Sequence, residues 1–329
     1  MAGMSLLDPF GRKVNYLRLS VTGRCNLRCS YCRPAGGDEA PTAGEILSDD
    51  DLLLLARTAV GLGIEKIRVT GGEPLVRKGV VGLLSRLAAI PGLKKLVLTT
   101  NGLHLKESAE ALRRAGVESL NVSLDTLRPD RFARITGGGD LRRVVEGITR
   151  AQECGFPYIK INAVVMQGIN DDEIEEFAAL TLDRPLRVRF IEYMPAAAAD
   201  RTHGITVPGE EILDRLSRRY RLLPMGKEEL GGPARYFRID GSAGAVGIIT
   251  PVSCHFCGDC NRIRVTSGGV AKGCLFSLQD IDLKPFLRRG NAEGLRKALQ
   301  DVVQGKPDRH LLSPEGFGGK PFAMSAVGG

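Results

Sequence analysis

Three cysteines stand within eight residues, Cys25-x3-Cys29-x2-Cys32. A cube of four irons ordinarily takes four thiolates. Three would leave one iron open to a ligand that reacts. Zinc takes four ligands, and this run offers no evident fourth. Spacings of four and three would also align the sulfurs on one helix face, so buried cysteines on an amphipathic helix are the alternative. The run follows a strand-like stretch and carries Arg24, Arg28 and Arg33, which favours a loop wrapped around an anionic cluster.

A second group comprises Cys254, Cys257, Cys260 and Cys274. Cys257-x2-Cys260-x13-Cys274 fits a zinc ribbon, with Cys254 completing the set, and spacing alone favours zinc. Arg262 and Arg264 follow Cys260 at i and i+2 of a strand and project to one face beside the metal. Structural zinc has no use for them, whereas a phosphorylated ligand at an open iron does. Two exposed strand arginines are the plainer alternative. Cys154, alone near the end of an expected helix, reads as a small buried hydrophobe.

These groups need a frame. The chain has 329 residues, 43% of them hydrophobic, enough for one large domain or a large one with a smaller partner. No apolar run reaches the roughly 18–20 residues of a membrane span. The stretch Met1–Asp8 lacks the basic and apolar regions of a signal peptide, so a cytoplasmic protein is expected, where disulfides are a poor reading of cysteine. The net charge of +8 suits an anionic partner, or solubility alone. Aromatics are 5% and Trp is absent, which counts against a stacking surface for single-stranded nucleic acid.

Short apolar runs alternate with helical patterns. Strands are expected at Tyr16–Val21, Lys66–Thr70, Lys95–Thr99, Ser119–Ser123, Tyr158–Val165 and Leu186–Tyr193. Helices follow: one capped by Ser48, a second reaching Ala89, then Lys106–Ala115, Leu141–Gln152, Asp171–Leu182 and Pro208–Arg219. Strict alternation implies a parallel sheet with helices outside. Six units suggest an incomplete (β/α)6 barrel of the TIM type, whose strand C-termini would carry the chemistry; a doubly wound sheet is the alternative. After about residue 220 the rhythm breaks. Short strands at Ala234–Asp240, Val246–Thr250 and Ile263–Thr266, a helix near Ala292–Val303 and a glycine-rich tail follow. The expected division is a partial barrel over 1–230 and a small C-terminal domain over 231–329.

Cys-x3-Cys-x2-Cys after a first strand, with Tyr31 before the third cysteine, resembles the radical S-adenosylmethionine superfamily. The resemblance implies a [4Fe–4S] cluster whose open iron chelates S-adenosylmethionine and whose electron cleaves it to a 5′-deoxyadenosyl radical. Gly71-Gly72-Glu73-Pro74, by itself an ordinary turn, then looks like the element that receives the cofactor's amino group. Within the superfamily the likeness is to the GTP 3′,8-cyclase family of molybdenum cofactor biosynthesis. It extends from Tyr16–Thr22 to the terminal Gly328-Gly329, through Lys66–Thr70, Thr99–Gly102, Lys160–Asn162, Arg189–Met194 and Gly273–Phe276.

Carried over by position, the resemblance implies Cys25, Cys29 and Cys32 at the radical-generating cluster. It implies Tyr31, Gly72, Ser123 and Met194 at S-adenosylmethionine, and Cys257, Cys260 and Cys274 at a second [4Fe–4S] cluster that binds guanine. Arg18, Arg68, Thr99, Lys160, Arg189, Arg262 and Arg264 would contact GTP. Arg18, Arg262, Arg264, Gly328 and Gly329 would serve the reaction, in which hydrogen leaves C3′ and C3′ joins C8 of guanine. A homodimer, an external electron donor and a hand-off to cyclic pyranopterin monophosphate synthase are implied too, with no membrane or nucleic-acid partner. Gly23 stands where the family usually has Asp, Arg33 where it has Met, and Cys254 is additional. A peptide-modifying two-cluster maturase and a zinc-containing nucleic-acid-binding protein are the competing readings.

Overall fold

The structure, a computed structural model, describes residues 6–32, 46–195, 205–313, 316–317, 324 and 327. Six strands run in chain order: β1 (Tyr16–Ser20), β2 (Lys66–Thr70), β3 (Lys95–Thr100), β4 (Ser119–Ser123), β5 (Tyr158–Val165) and β6 (Leu186–Glu192). Between and after them come α1 (Asp49–Gly61), α2 (Val80–Ala88), α3 (Leu105–Arg114), α4 (Pro129–Thr136), α5 (Leu141–Glu153), α6 (Ile174–Ala179) and α7 (Gly209–Arg219). The six strands pair in parallel with each next neighbour. A doubly wound sheet reverses its strand order at a switch point; this order does not reverse.

Local signals account for the helix ends. Ser48 and Asp51 form a reciprocal capping box at α1, with three aspartates in its first turn, where the helix dipole favours them. Asp140 caps α5. The short helix α4 lies outside the expected pattern, although Pro129 opens it and Gly137, at φ +72°, closes it. The stretch expected as one helix from Asp171 begins instead as a tight turn over Asp171–Glu173 before α6. That turn carries the buried Glu173 carboxylate inward, where it accepts from Thr126 Oγ1 at 2.5 Å and Leu127 N at 2.6 Å.

The later chain extends the same sheet at both edges. At the β6 edge lie β7 (Leu222–Pro224), β8 (Arg235–Ile239) and β9 (Ala245–Ile249); β9 is parallel to β6. At the β1 edge lie β10 (Arg262–Val265), β11 (Val270–Lys272) and β12 (Asp280–Asp282); β10 is parallel to β1. Then come α8 (Lys284–Leu287) and α9 (Ala292–Gln304).

Alternation along the strands separates two faces. Leu17, Leu19, Ile67, Val69, Leu96, Leu98, Ile263 and Val265 join Leu52, Leu84 and Leu112 of the helices in one core. Among the described residues, helices α1 to α9 each bury apolar side chains in that core. The opposite face carries Arg18, Arg68, Lys160, Arg189, Arg262 and Arg264, with Val97 level with Arg68 among them.

Candidate active site

The polar face is a grid set by strand register. Arg18 is level with Arg264 on one neighbour and Arg68 on the other. Tyr16 is level with Arg262 and Lys66. Asn121 is level with Thr99 and Lys160, and Asn162 with Ser123 and Arg189. Seven of the expected substrate residues therefore share one surface.

Its cations crowd one another. Burial, then Arg68 and Lys160, push Lys66 down to about 5. Burial, then Arg189, bring Lys160 to about 7. Burial, then Arg262, lower Arg264 to about 10, and Arg18 and Arg68 are lowered chiefly by burial. The Tyr16 ring lies 4.3 Å from Lys66 Nζ and 5.5 Å from the Arg68 guanidinium, which offsets part of the cost. Among the described residues one carboxylate reaches the group: Glu228 pairs with Arg187 and lies 3.4 Å from Lys160 Nζ. The Leu230 carbonyl accepts from Lys66 Nζ at 2.7 Å, and Arg189 donates to Asn121 Oδ1.

Other polar atoms there are buried and have no partner among the described residues: Tyr16 Oη, Arg68 Nε, Thr99 Oγ1, Asn162 Oδ1, Arg189 Nε and Arg264 Nη1. Each such atom costs about 1–3 kcal/mol when left unsatisfied. All of them lie on the one face. A polar, anionic guest would satisfy both the donors and the charge.

The two cysteine groups lie at opposite ends of this grid. The first follows the C-terminal end of β1, and Cys260 sits two residues before the N-terminal end of β10, which is parallel to β1. The 5 residues of β1, at about 3.3 Å each, separate those ends by roughly 16 Å.

At the first end the cysteines lie in irregular loop and turn, not on a helix. Gly71 and Gly72 dock that loop on the end of β2. Gly72 N donates to Thr22 O at 2.7 Å and Glu73 N to Arg24 O at 2.8 Å. A Cβ on Gly72 would lie 2.3 Å from Arg24 O. Glu73, pushed up to about 7 by burial, accepts from Thr100 Oγ1 and from Asn101 N, at 2.8 and 2.6 Å. Asn101 Nδ2 in turn donates to Asn26 Oδ1 at 2.8 Å and lies 3.9 Å from Cys25 Sγ. Tyr31 donates to Asp125 Oδ2 at 2.7 Å, and burial raises Asp125 to about 6. Burial, then the charges of Asp125, Cys32 and Cys25, push the Cys29 thiol up.

At the other end burial, with Cys274 and Cys260 nearby, raises Cys257. Burial also works against the Cys260 thiolate, but Arg262 and Lys306 outweigh it and bring that thiol to about 6. Arg12 donates to the Cys257 carbonyl at 2.8 Å and to the carbonyls of Pro307 and Asp308. Glu192, buried at the C-terminal end of β6, accepts from Val252 N and Ser253 N at 2.9 and 3.0 Å and holds the chain where it leaves β9 on its way to Cys257. Cys254 is exposed. Met194, expected at S-adenosylmethionine, packs against the small cluster of Val252, Phe276 and Leu312.

Among the described residues no three of His, Cys, Asp and Glu gather around a single metal ion. Each cysteine triad offers soft thiols near enough to perturb one another's charge, a donor set that suits iron–sulfur ligation. Gly328, Gly329 and Arg33 lie outside the described residues.

Residues 19–181 match the Radical SAM superfamily, and residues 186–312 match Molybdenum Cofactor Synthesis C. A Geobacter sulfurreducens protein named GTP 3′,8-cyclase is 58% identical over 326 residues, which span 99% of this chain and 100% of that one. The chain belongs to the GTP 3′,8-cyclase family. A family member from Peptoclostridium acidaminophilum is 47% identical, over 93% of this chain and 94% of its own. The fold is shared with the crystal structure of Streptococcus suis SuiB bound to S-adenosylmethionine, at TM-score 0.60 and 16% identity over 92% of this chain and 76% of that one. The chain is thus a radical S-adenosylmethionine enzyme, of a family that uses an iron–sulfur cluster and that cofactor. No helix among the described residues is long and apolar enough to cross a membrane.

Several polar residues of this cyclase-family site went unnoticed in the sequence. Lys66 and Arg187 were missed although each stands two residues before an expected cation, Arg68 and Arg189, on the same strand, the same signal that drew attention to Arg262 and Arg264. Asn121, Glu228, Arg12 and Lys306 carried no such signal, because distant segments bring them to the site.

Proposed function

We propose that the chain converts GTP to (8S)-3′,8-cyclo-7,8-dihydroguanosine 5′-triphosphate, the first step of molybdenum cofactor biosynthesis, on the cationic face between two iron–sulfur sites. The observation that carries this reading is the band of buried, mutually repelling cations and orphaned polar atoms between two cysteine triads. A triphosphate supplies the missing negative charge, and ribose and base supply donors and acceptors.

In this reading the six parallel strands roll into an incomplete barrel over 1–230, with residues 231–329 as the C-terminal domain. Cys25, Cys29 and Cys32 hold one [4Fe–4S] cluster, with Tyr31, Gly72, Ser123 and Met194 lining the S-adenosylmethionine site. When bound, that cluster and cofactor supply a 5′-deoxyadenosyl radical, the agent that takes hydrogen from C3′. Cys257, Cys260 and Cys274 would hold a second [4Fe–4S] cluster, which would supply an anchor for guanine. Arg18, Arg68, Thr99, Lys160, Arg189, Arg262 and Arg264 bind the nucleotide, joined by Lys66. Holding C3′ and C8 of one nucleotide in register would make ring closure unimolecular, and one electron from the external donor with one proton would complete the 7,8-dihydro product. The closed apolar core behind the sheet keeps water from one side. Arg18, Arg262 and Arg264, with Gly328 and Gly329, complete the reacting end. The enzyme works as a homodimer with an external electron donor and passes its product to cyclic pyranopterin monophosphate synthase.

Anaerobically reconstituted protein tests the reading. About eight irons per chain, four for each cluster, and S-adenosylmethionine cleavage that depends on GTP are expected. Zinc at the second triad, or cleavage indifferent to GTP, would overturn it.

A further inference from the structure

Lys306 follows the C-terminal end of α9 and is 4% exposed. Its Nζ lies 3.5 Å from Cys260 Sγ. It also donates to the carbonyls of Arg262 at 2.9 Å and Gly273 at 2.8 Å. Those carbonyls belong to the residue two past Cys260 and the residue just before Cys274. One ammonium therefore ties together the two segments that bring Cys260 and Cys274 to the triad, and spends its three donors doing so.

The stem is as fixed as the head. A Cβ on Gly273 would lie 2.8 Å from Lys306 Cγ and 2.9 Å from Val302 O, so glycine at 273 leaves the space that Lys306 fills. From the other side Arg12, held by Asp8 at 2.5 Å, bonds the carbonyls of Cys257, Pro307 and Asp308. The chain just after Lys306 is thereby anchored to the loop of the remaining cysteine. Arg262 Nη2 also approaches Cys260 Sγ, at 3.8 Å, but its guanidinium lies over Phe256 and on the substrate face. Lys306 approaches from the α9 side.

We propose that Lys306 is a positioning residue of the second cluster, setting the geometry of its ligand loop and raising its reduction potential through a charged hydrogen bond to the Cys260 sulfur. This rests on the reading that Cys257, Cys260 and Cys274 hold a [4Fe–4S] cluster. A cation beside a ligand sulfur favours the more negative, reduced state. Removing it takes the donor from the buried Gly273 carbonyl and from the part-buried Arg262 carbonyl, which loosens the loop.

The full chain with Cys25, Cys29 and Cys32 all changed to Ala isolates the second cluster for testing. In that background Lys306→Met, of similar length and uncharged, is compared with Lys306→Arg by potentiometric titration followed by electron paramagnetic resonance, and by the rate of iron loss to a chelator. The expected result is a more negative potential and faster iron loss for Lys306→Met, with Lys306→Arg returned toward the parent potential. A Lys306→Met protein that keeps its cluster at an unchanged potential and an unchanged loss rate would overturn the role of Lys306. If Lys306→Met loads no cluster while Lys306→Arg does, the charge and the ties are required, as proposed. Failure of the parent itself to load iron would remove the second cluster, and this inference with it.

Discussion

Lys66 and Lys160 carry the clearest consequence of crowding cations on one face. Both lie well below the usual lysine range, Lys66 at about 5 and Lys160 at about 7, for burial first and neighbouring cations second. A polyanion beside them favours the charged form. Across pH 7 to 8 the free protein holds Lys66 neutral and Lys160 between half and mostly neutral, while the complex favours the charged form of both, so GTP binding takes up protons and strengthens as pH falls through that window. Calorimetry in buffers of different ionisation heat should read that uptake, and Lys66→Met should reduce it; proton release on binding would contradict the reading. Glu228 acts in the opposite direction, since its carboxylate competes with phosphate for Lys160 and Arg187. Glu228→Gln should therefore tighten GTP binding by roughly two- to five-fold, the range of a part-exposed ion pair; weaker binding would make Glu228 a scaffold for those cations instead. At this scale the cysteine triads were legible because ligand spacing is written along the chain. Glu228 and Lys306 were not, because each meets its partners across long stretches of sequence.

Elements explain how the first triad is held. Gly71 and Gly72 read most simply as a turn, or as a close approach to cofactor. In the fold their lack of side chains lets the end of β2 meet the backbone of the cysteine loop. The atom that a Cβ at 72 would strike is the carbonyl of Arg24, which cannot swing aside as a side-chain tip could. Gly72→Ala should displace the loop, so that iron at the first site and S-adenosylmethionine cleavage are lost while iron at the second site stays. Iron analysis with cleavage assays distinguishes this from general unfolding, which would remove both. The six strands and most helices were legible from apolar periodicity and caps. The short α4 was missed because its eight residues give periodicity little length to register. Periodicity also assigns a face and not a neighbour, so nothing in Arg262–Val265 announced that β10 would lie beside β1, far away in the chain.

That pairing sets the architecture of the whole molecule. With β10 parallel to β1 and β9 parallel to β6, the later chain flanks the six-stranded sheet on both sides and brings the second triad to the end opposite the first. GTP would lie along the strands between them, its ribose toward the first cluster and its base toward the second. Removing Gly328 and Gly329 should leave both clusters loaded yet abolish cyclised product; unchanged turnover would take the tail out of the reaction. The most direct test of the central claim is hyperfine spectroscopy of the reduced protein with GTP carrying nitrogen-15 in its guanine. Coupling between that nitrogen and the cluster at Cys257, Cys260 and Cys274 is the predicted result. Coupling to the cluster at Cys25, Cys29 and Cys32, or to neither, would contradict it.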